Sequence, residues 1–180
     1  MFVERCGNDK LDNLFVMRDT LLSYCTERNL TPLYFRKGAL EGKRYYVDEL
    51  WYSYPQNNSK VKMHRIDADG KQHWQEEEYT DCIYDMMSIF LRARNFDASN
   101  LSKNDLIPMP ITDAKRATNS WLKYLGKENF KIEGSNQKFR CLVFSFIERE
   151  ENKDTELIRF YVTDDPNHIP VRLDLNLSFG

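Results

Sequence analysis

The stretch Tyr79 to Phe96, YTDCIYDMMSIFLRARNF, constrains the fold of this chain most, because it is the one convincing helix in a sequence that otherwise reads as strands. Thr80 or Asp81 is placed to cap its N-terminus, where a side-chain oxygen satisfies backbone amides that lack intrahelical partners. Asp81 and Asp85 lie towards the positive end of the helix dipole, and Arg92 and Arg94 towards the negative end. Ile83, Met86, Met87 and Phe90 follow the i, i+3, i+4, i+7 spacing of one buried face, and Tyr84 and Leu91 widen that face enough to pack across a sheet. The pattern predicts a helix over about residues 80–95. Such a face has two uses. It fills a core, or its methionines line a greasy groove, since methionine adapts to irregular ligands.

The segments around it alternate with period two. Leu14 to Thr26 fits a helix loosely through Leu11, Leu14, Phe15 and Leu22, but a strand through Leu14, Val16, Leu22 and Tyr24; the strand is preferred. Leu33 to Lys37 reads as a short extended piece punctuated by Gly38 and Gly42. The long strand Arg44 to Tyr54 sets Tyr45, Val47 and Trp51 against Tyr46, Leu50, Tyr52 and Tyr54, so both its faces are aromatic. Asp67-Ala68-Asp69-Gly70 between Val61–Ile66 and Lys71–Glu77 signals a hairpin. Pro108 and Pro110 remove ladder donors and confine Leu106 to Ile111 to a sheet edge. Ser120 to Leu125, Phe130 to Glu133, Phe139 to Glu148 and Leu157 to Thr163 read as further strands. Among these, Phe139 to Glu148 is apolar on both faces and therefore central or sandwiched. Ile169, Val171, Leu173, Leu175, Leu177 and Phe179 share one face, alternating strictly with polar residues from Arg172 onward.

These elements define a mainly β, antiparallel domain over residues 1–180, with a strongly curved sheet or open half-barrel wrapping the one helix. The final strand stops without a cap or partner, so the chain reads as cut there.

Lysine and arginine total 26 against 28 acids, a formal charge of −2, which gives no reason to expect nucleic acid or an anionic membrane as partner. No apolar run reaches the roughly 20 residues that span a bilayer. Residues 1–20 lack the continuous apolar core of a signal peptide. The cysteines at 6, 25, 82 and 141 form no C-x-x-C pair, so a zinc knuckle is not indicated. Cys82, at the helix start, and Cys141, in the strand apolar on both faces, are expected to be the closest pair in space.

Five blocks carry a family resemblance: FVMRDTLLSY, PLYFRKGALEGKRYYVDELWYSY, CIYDMMSIFLRAR, KFRCLVFSF and FYVTDDPNHIPVRLDLNLSFG. In this order they resemble the family known as domain of unknown function 3108, and most closely its exported forms typical of Bacteroidetes, over nearly all of residues 14–180. The resemblance implies a periplasmic or cell-envelope location. It also implies a chain cut at both ends, because members begin with a signal peptide and an extra pair of strands and continue with a further strand. It supplies no activity. A looser analogy is to the half-barrels of periplasmic lipoprotein carriers, in which a curved sheet encloses a greasy cavity.

No G-x-S-x-G, P-loop or G-x-G-x-x-G occurs, and Ser88 and Cys82 have no histidine nearby in sequence. Thr163-Asp164-Asp165-Pro166-Asn167-His168 gathers two carboxylates, an amide and an imidazole, enough for a cation or a general base, but also ordinary turn chemistry. His64 and His73 become cross-strand neighbours if Asp67 to Gly70 forms a four-residue loop, yet no third metal ligand is in view. The function expected is therefore non-enzymatic, with no cofactor and no metal. An apolar small molecule, a lipid or a lipidated partner is held in the curved sheet by Met86, Met87, Phe90, Tyr84 and Trp51. The alternatives are a structural module that pairs through strand edges and an enzyme that uses Asp164, Asp165 and His168.

Overall fold

The computed structural model describes residues 2–6, 17–95, 97–112, 114–115, 117–118, 120–132, 136–150 and 153–176. Strands make up 63% of the chain, pairing within both large sheets is antiparallel, and the described residues hold one short α-helix, so the mainly β reading holds. Neither large sheet closes into a barrel among the described residues. No helix among them is long and apolar enough to cross a membrane.

The chain forms two compact units, residues 1–89 with 111–117, and residues 90–110 with 118–180. In the first, six strands pair in chain order as a meander: β1 (Phe2–Cys6), β2 (Met17–Cys25), β3 (Pro32–Glu41), β4 (Arg44–Ser53), β5 (Ser59–Ile66) and β6 (Gln72–Tyr79). The part of the expected first strand before Met17 lies outside the described residues. Register sorts the side chains strictly. Ser23, Phe35, Leu50, Met63 and Gln75 oppose one another on one face, and Tyr24, Tyr34, Trp51, Lys62 and Glu76 on the other. The first face is the core, where Leu21, Phe35, Leu50, Tyr52, Val61 and Met63 bury against Ile83 and Ala114.

Strand β3 is twice the expected length, because Gly38 does not punctuate it. A Cβ there would lie 2.7 Å from the Tyr45 hydroxyl, so the glycine admits a neighbouring ring rather than a turn. The turn falls instead at Gly42, whose φ of 63° suits the two-residue link between Glu41 and Arg44.

The helix α1 (Met86–Ala93) is shorter than its sequence pattern. Neither Thr80 nor Asp81 caps it. Tyr84 is held extended by a bridge to Ile111, with Thr112 N–H donating to the Tyr84 carbonyl at 3.0 Å, so the helix cannot begin before residue 85. Asp85 is the cap. Its Oδ1 accepts from the amides of Met87 and Ser88, each at 2.8 Å, and the Asp85 amide donates back to Ser88 Oγ at 2.9 Å. This later start changes the buried face. Ile83 is buried but lies ahead of the helix, Ser88 and Ile89 turn inward, and Met86 and Leu91 are exposed.

After α1, β7 (Leu106–Pro108) is the edge expected from its prolines, and β8 (Ile111–Thr112) pairs with β9 (Ala117–Thr118). In the second unit β7 adjoins β10 (Ser120–Lys131), followed by β11 (Lys138–Glu150), β12 (Lys153–Thr163) and β13 (Pro170–Leu175). The two strands expected at Ser120 and Phe130 are one, because a bulge at Gly126 (φ 109°) absorbs the irregularity without ending the ladder. Strand β11 is central, as its sequence requires, and Cys141 to Ile147 are all buried. On one face Phe144 meets Tyr124 at a ring separation of 5.3 Å. On the other, Cys141 and Val143 cluster with Tyr161.

Candidate functional site

The outer face of the six-stranded sheet carries a continuous row of rings. Tyr24, Tyr34 and Trp51 are direct cross-strand partners on β2, β3 and β4. Their centroids are 5.9 Å and 5.6 Å apart in turn. Two register positions along, on the same face, His64 on β5 faces Trp74 on β6. Those two rings stack at 3.9 Å and 9°, and Trp74 lies 5.9 Å from Trp51. The row thus crosses β2 to β6. Three of its rings are well exposed, Tyr24 at 56%, Trp74 at 54% and Trp51 at 36%, an unusual outlay of aromatic surface.

Polar groups fix these rings. Tyr34 donates its hydroxyl to Glu49 Oε1 at 2.8 Å, and burial followed by that bond pushes the phenol up to about 12, so it stays protonated and keeps donating. Buried His64 sets Nδ1 3.0 Å from Glu49 Oε2 and Nε2 3.2 Å from Gln72 Oε1, which locks the imidazole beneath Trp74. Several charges on this face pair with one another: Arg36 with Glu49 at 3.7 Å, and Lys60 with Glu76 at 2.7 Å and Glu78 at 3.6 Å. Lys62 holds its ammonium 4.7 Å from the Trp74 ring centre. The face is aromatic, hydrogen-bonding and locally neutral.

A shallow pocket of about 390 Å³ lies near the β5–β6 turn, lined by Met63, Arg65, Asp67, His73, Gln75 and Lys115 among others. Asp67 bonds Arg65 Nε at 2.9 Å and His73 Nε2 at 2.6 Å, and these two partners, Arg65 first, hold its carboxyl below the usual range. A His–Asp pair needs a nucleophile to activate, and among the described residues no serine, threonine or cysteine lines this pocket.

The four-residue loop that would have made His64 and His73 cross-strand neighbours does not form. The connection is five residues long, closed by Asp67 N–H to the Lys71 carbonyl at 2.9 Å, which sets Arg65 opposite His73 and puts the two imidazoles on opposite faces. Among the described residues no group of three His, Cys, Asp or Glu is placed to hold a metal. Cys25, Cys82 and Cys141 are unbridged thiols. Cys141 belongs to the core of the second unit, while Cys82 neighbours Cys25 and Tyr54 in the first.

In the loop Thr163 to His168, Asp164, Asp165 and His168 each make separate contacts within the fold. Asp164 pairs with Lys127 at 3.0 Å and with Arg140; burial alone would raise its carboxyl, but these two cations outweigh it and lower it. Asp165 Oδ1 accepts the Asn167 amide at 2.8 Å, and His168, at φ 44°, directs Nδ1 to the Arg94 carbonyl at 2.7 Å.

The sequence-selected ligand residues are dispersed. Met87 packs on the first unit's core, and Tyr84 is held by its bridge to Ile111. Met86 is 43% exposed, and Phe90 meets Phe160 edge-on at 5.4 Å in the second unit. Trp51 sits on the sheet face opposite Met87's neighbours Leu50 and Tyr52. Met87→Ala should therefore cost about 2 kcal/mol in denaturant melts, the low end for a core methionine, whereas Met86→Ala should stay within about 0.5 kcal/mol. The sequence does not single out Tyr24, Tyr34 or Trp74 as site residues, and it offers His64 only as a candidate metal ligand. Consecutive hairpin pairing with a two-residue turn at Gly42 is the signal that would have aligned the first two with Trp51.

Fold and site define an antiparallel β module with one short helix and an open aromatic sheet face. The chain belongs to the family described as protein of unknown function (DUF3108), which it matches over residues 6–180. No curated protein and no solved structure shows significant similarity to it.

Proposed function

We propose that this chain is a non-enzymatic binding module of the cell envelope that holds its ligand against the first sheet. The observation that carries this is the ring row Tyr24–Tyr34–Trp51–Trp74, exposed yet fixed from below by Glu49, His64 and Gln72. Rigid aromatic groups present large contact area at low entropic cost, which is the usual composition of recognition surfaces. Trp51, one of the residues selected from sequence, lies within this row. The envelope location rests on the likeness to exported family members seen in the sequence blocks. A sheet curved about the helix, the half-barrel expected from sequence, agrees with Ile83 and Met87 packing onto Leu50, Tyr52, Val61 and Met63.

A native mass spectrum of the purified protein tests the reading. Wild type should carry a non-covalent adduct that a Trp51→Ala/Trp74→Ala variant with unchanged circular dichroism lacks. An adduct present equally in both, or in neither, overturns it.

A further inference from the structure

The chemistry of the ring row narrows its ligand. A polyanion needs uncompensated cations along its path, because phosphate neutralisation supplies most of such binding. Here Arg36 and Lys60 already pair with Glu49, Glu76 and Glu78 on the same face. An alkyl chain needs enclosure, since the gain comes from removing apolar area from water on all sides. This face is open, and its rings are interleaved with carboxylate, amide, imidazole and ammonium groups. What remains is a ligand with flat apolar faces, a rim of neutral hydroxyls and an extended shape. The row crosses four strand intervals, a span of ~19 Å at ~4.8 Å per interval.

We propose that the outer face of the first sheet binds a neutral linear oligosaccharide. Its sugar rings lie along Tyr24, Tyr34, Trp51 and Trp74, and its hydroxyls bond the groups beside them. This rests on the binding-module reading and names its ligand class. Glu49 accepts from sugar hydroxyls, with one oxygen already oriented by Tyr34 and the other by His64. Lys62, poised above Trp74, donates to a hydroxyl at the β6 end of the row. His64 stacked under Trp74 stiffens that indole and lowers the ordering cost of binding. The exposed Tyr24 extends the row at the β2 end, so affinity grows with ligand length.

Titration with cellohexaose, chitohexaose and maltohexaose, followed by tryptophan emission and calorimetry, is the test. At least one hexasaccharide should bind, and more tightly than its disaccharide. Trp51→Ala and Trp74→Ala should each weaken binding about tenfold or more, a loss of ~1.4 kcal/mol. Tyr24→Ala, at an exposed position that the fold tolerates, should weaken the hexasaccharide but not the disaccharide. Trp121→Phe, in the other unit, should change neither. Failure of all three sugars, or binding indifferent to Trp51 and Trp74, overturns the proposal. If the native adduct depends on Trp51 and Trp74 but proves to be a lipid or a peptide, the sugar proposal falls and the binding-module reading stands.

Discussion

Asp85→Ala is expected to lower stability by about 3 kcal/mol, the sum of a lost helix cap and stranded buried donors. Asp85 is fully buried, and its carboxylate accepts the amides of Met87 and Ser88 and the Ser23 hydroxyl at 3.1 Å. Alanine returns none of these bonds, and water does not reach the site to replace them. The denaturant midpoint should fall with an unchanged slope, while Asp81→Ala, at an exposed position ahead of the helix, should do almost nothing. A near-neutral Asp85→Ala would mean that α1 does not start where the geometry puts it.

The same carboxyl has a pH signature. Burial raises its pKa against the lowering pull of Ser88, Met87 and Ser23. A raised folded-state value means that the proton favours the fold. The contribution is complete below the unfolded value near 4 and is lost as pH rises through the folded value. Relative to Asp85→Asn, wild type should therefore gain stability as pH is lowered across that window. A difference that is flat with pH, or that runs the other way, refutes the account.

Phe144→Ala should cost about 4 kcal/mol, at the upper end for a core aromatic. Phe144 is 2% exposed on the central strand of the second sheet, between Tyr124 on β10 and Phe160 on β12. Ladder pairing on both sides keeps the backbone from closing the cavity. Hydrogen exchange should accelerate through β10–β12 more than through β2–β5. Equal acceleration in both sheets would show that the two units do not unfold separately.

What could be read from sequence was whatever a residue states about itself and its immediate neighbours. The apolar run Cys141 to Ile147 needs cover on both faces wherever it sits, and Pro108 cannot occupy a sheet centre. Gly38 misled because its reason lies on the next strand, in the Tyr45 ring. Thr80 and Asp81 look as good a cap as Asp85 until the Tyr84–Ile111 bridge is known, and that bridge joins residues far apart in sequence. The polar stretch between Leu125 and Phe130, which holds Gly126, has the local appearance of a strand break. The ring row was invisible for a related reason. Tyr24, Tyr34, Trp51 and Trp74 belong to four strands, and only the exact turn lengths decide whether they share a face. In β4 alone, aromatics occupy both faces, and nothing local distinguishes the buried Tyr52 from the exposed Trp51.

The division of the chain inside α1 bears on how the protein is made. As the polypeptide leaves the ribosome, β2 to β6 can zip as successive hairpins, each needing only its neighbour, an order that favours rapid pairing. The segment that covers their apolar face is not yet available. Ala114, buried among Leu21, Phe35, Leu50 and Val61, emerges only after residues 90–110, which belong to the other unit. A nascent chain arrested at residue 89 therefore holds a paired meander with part of its core face open to solvent, a natural substrate for a chaperone. Release to a protease-resistant state should come only once residue 117 has cleared the exit tunnel.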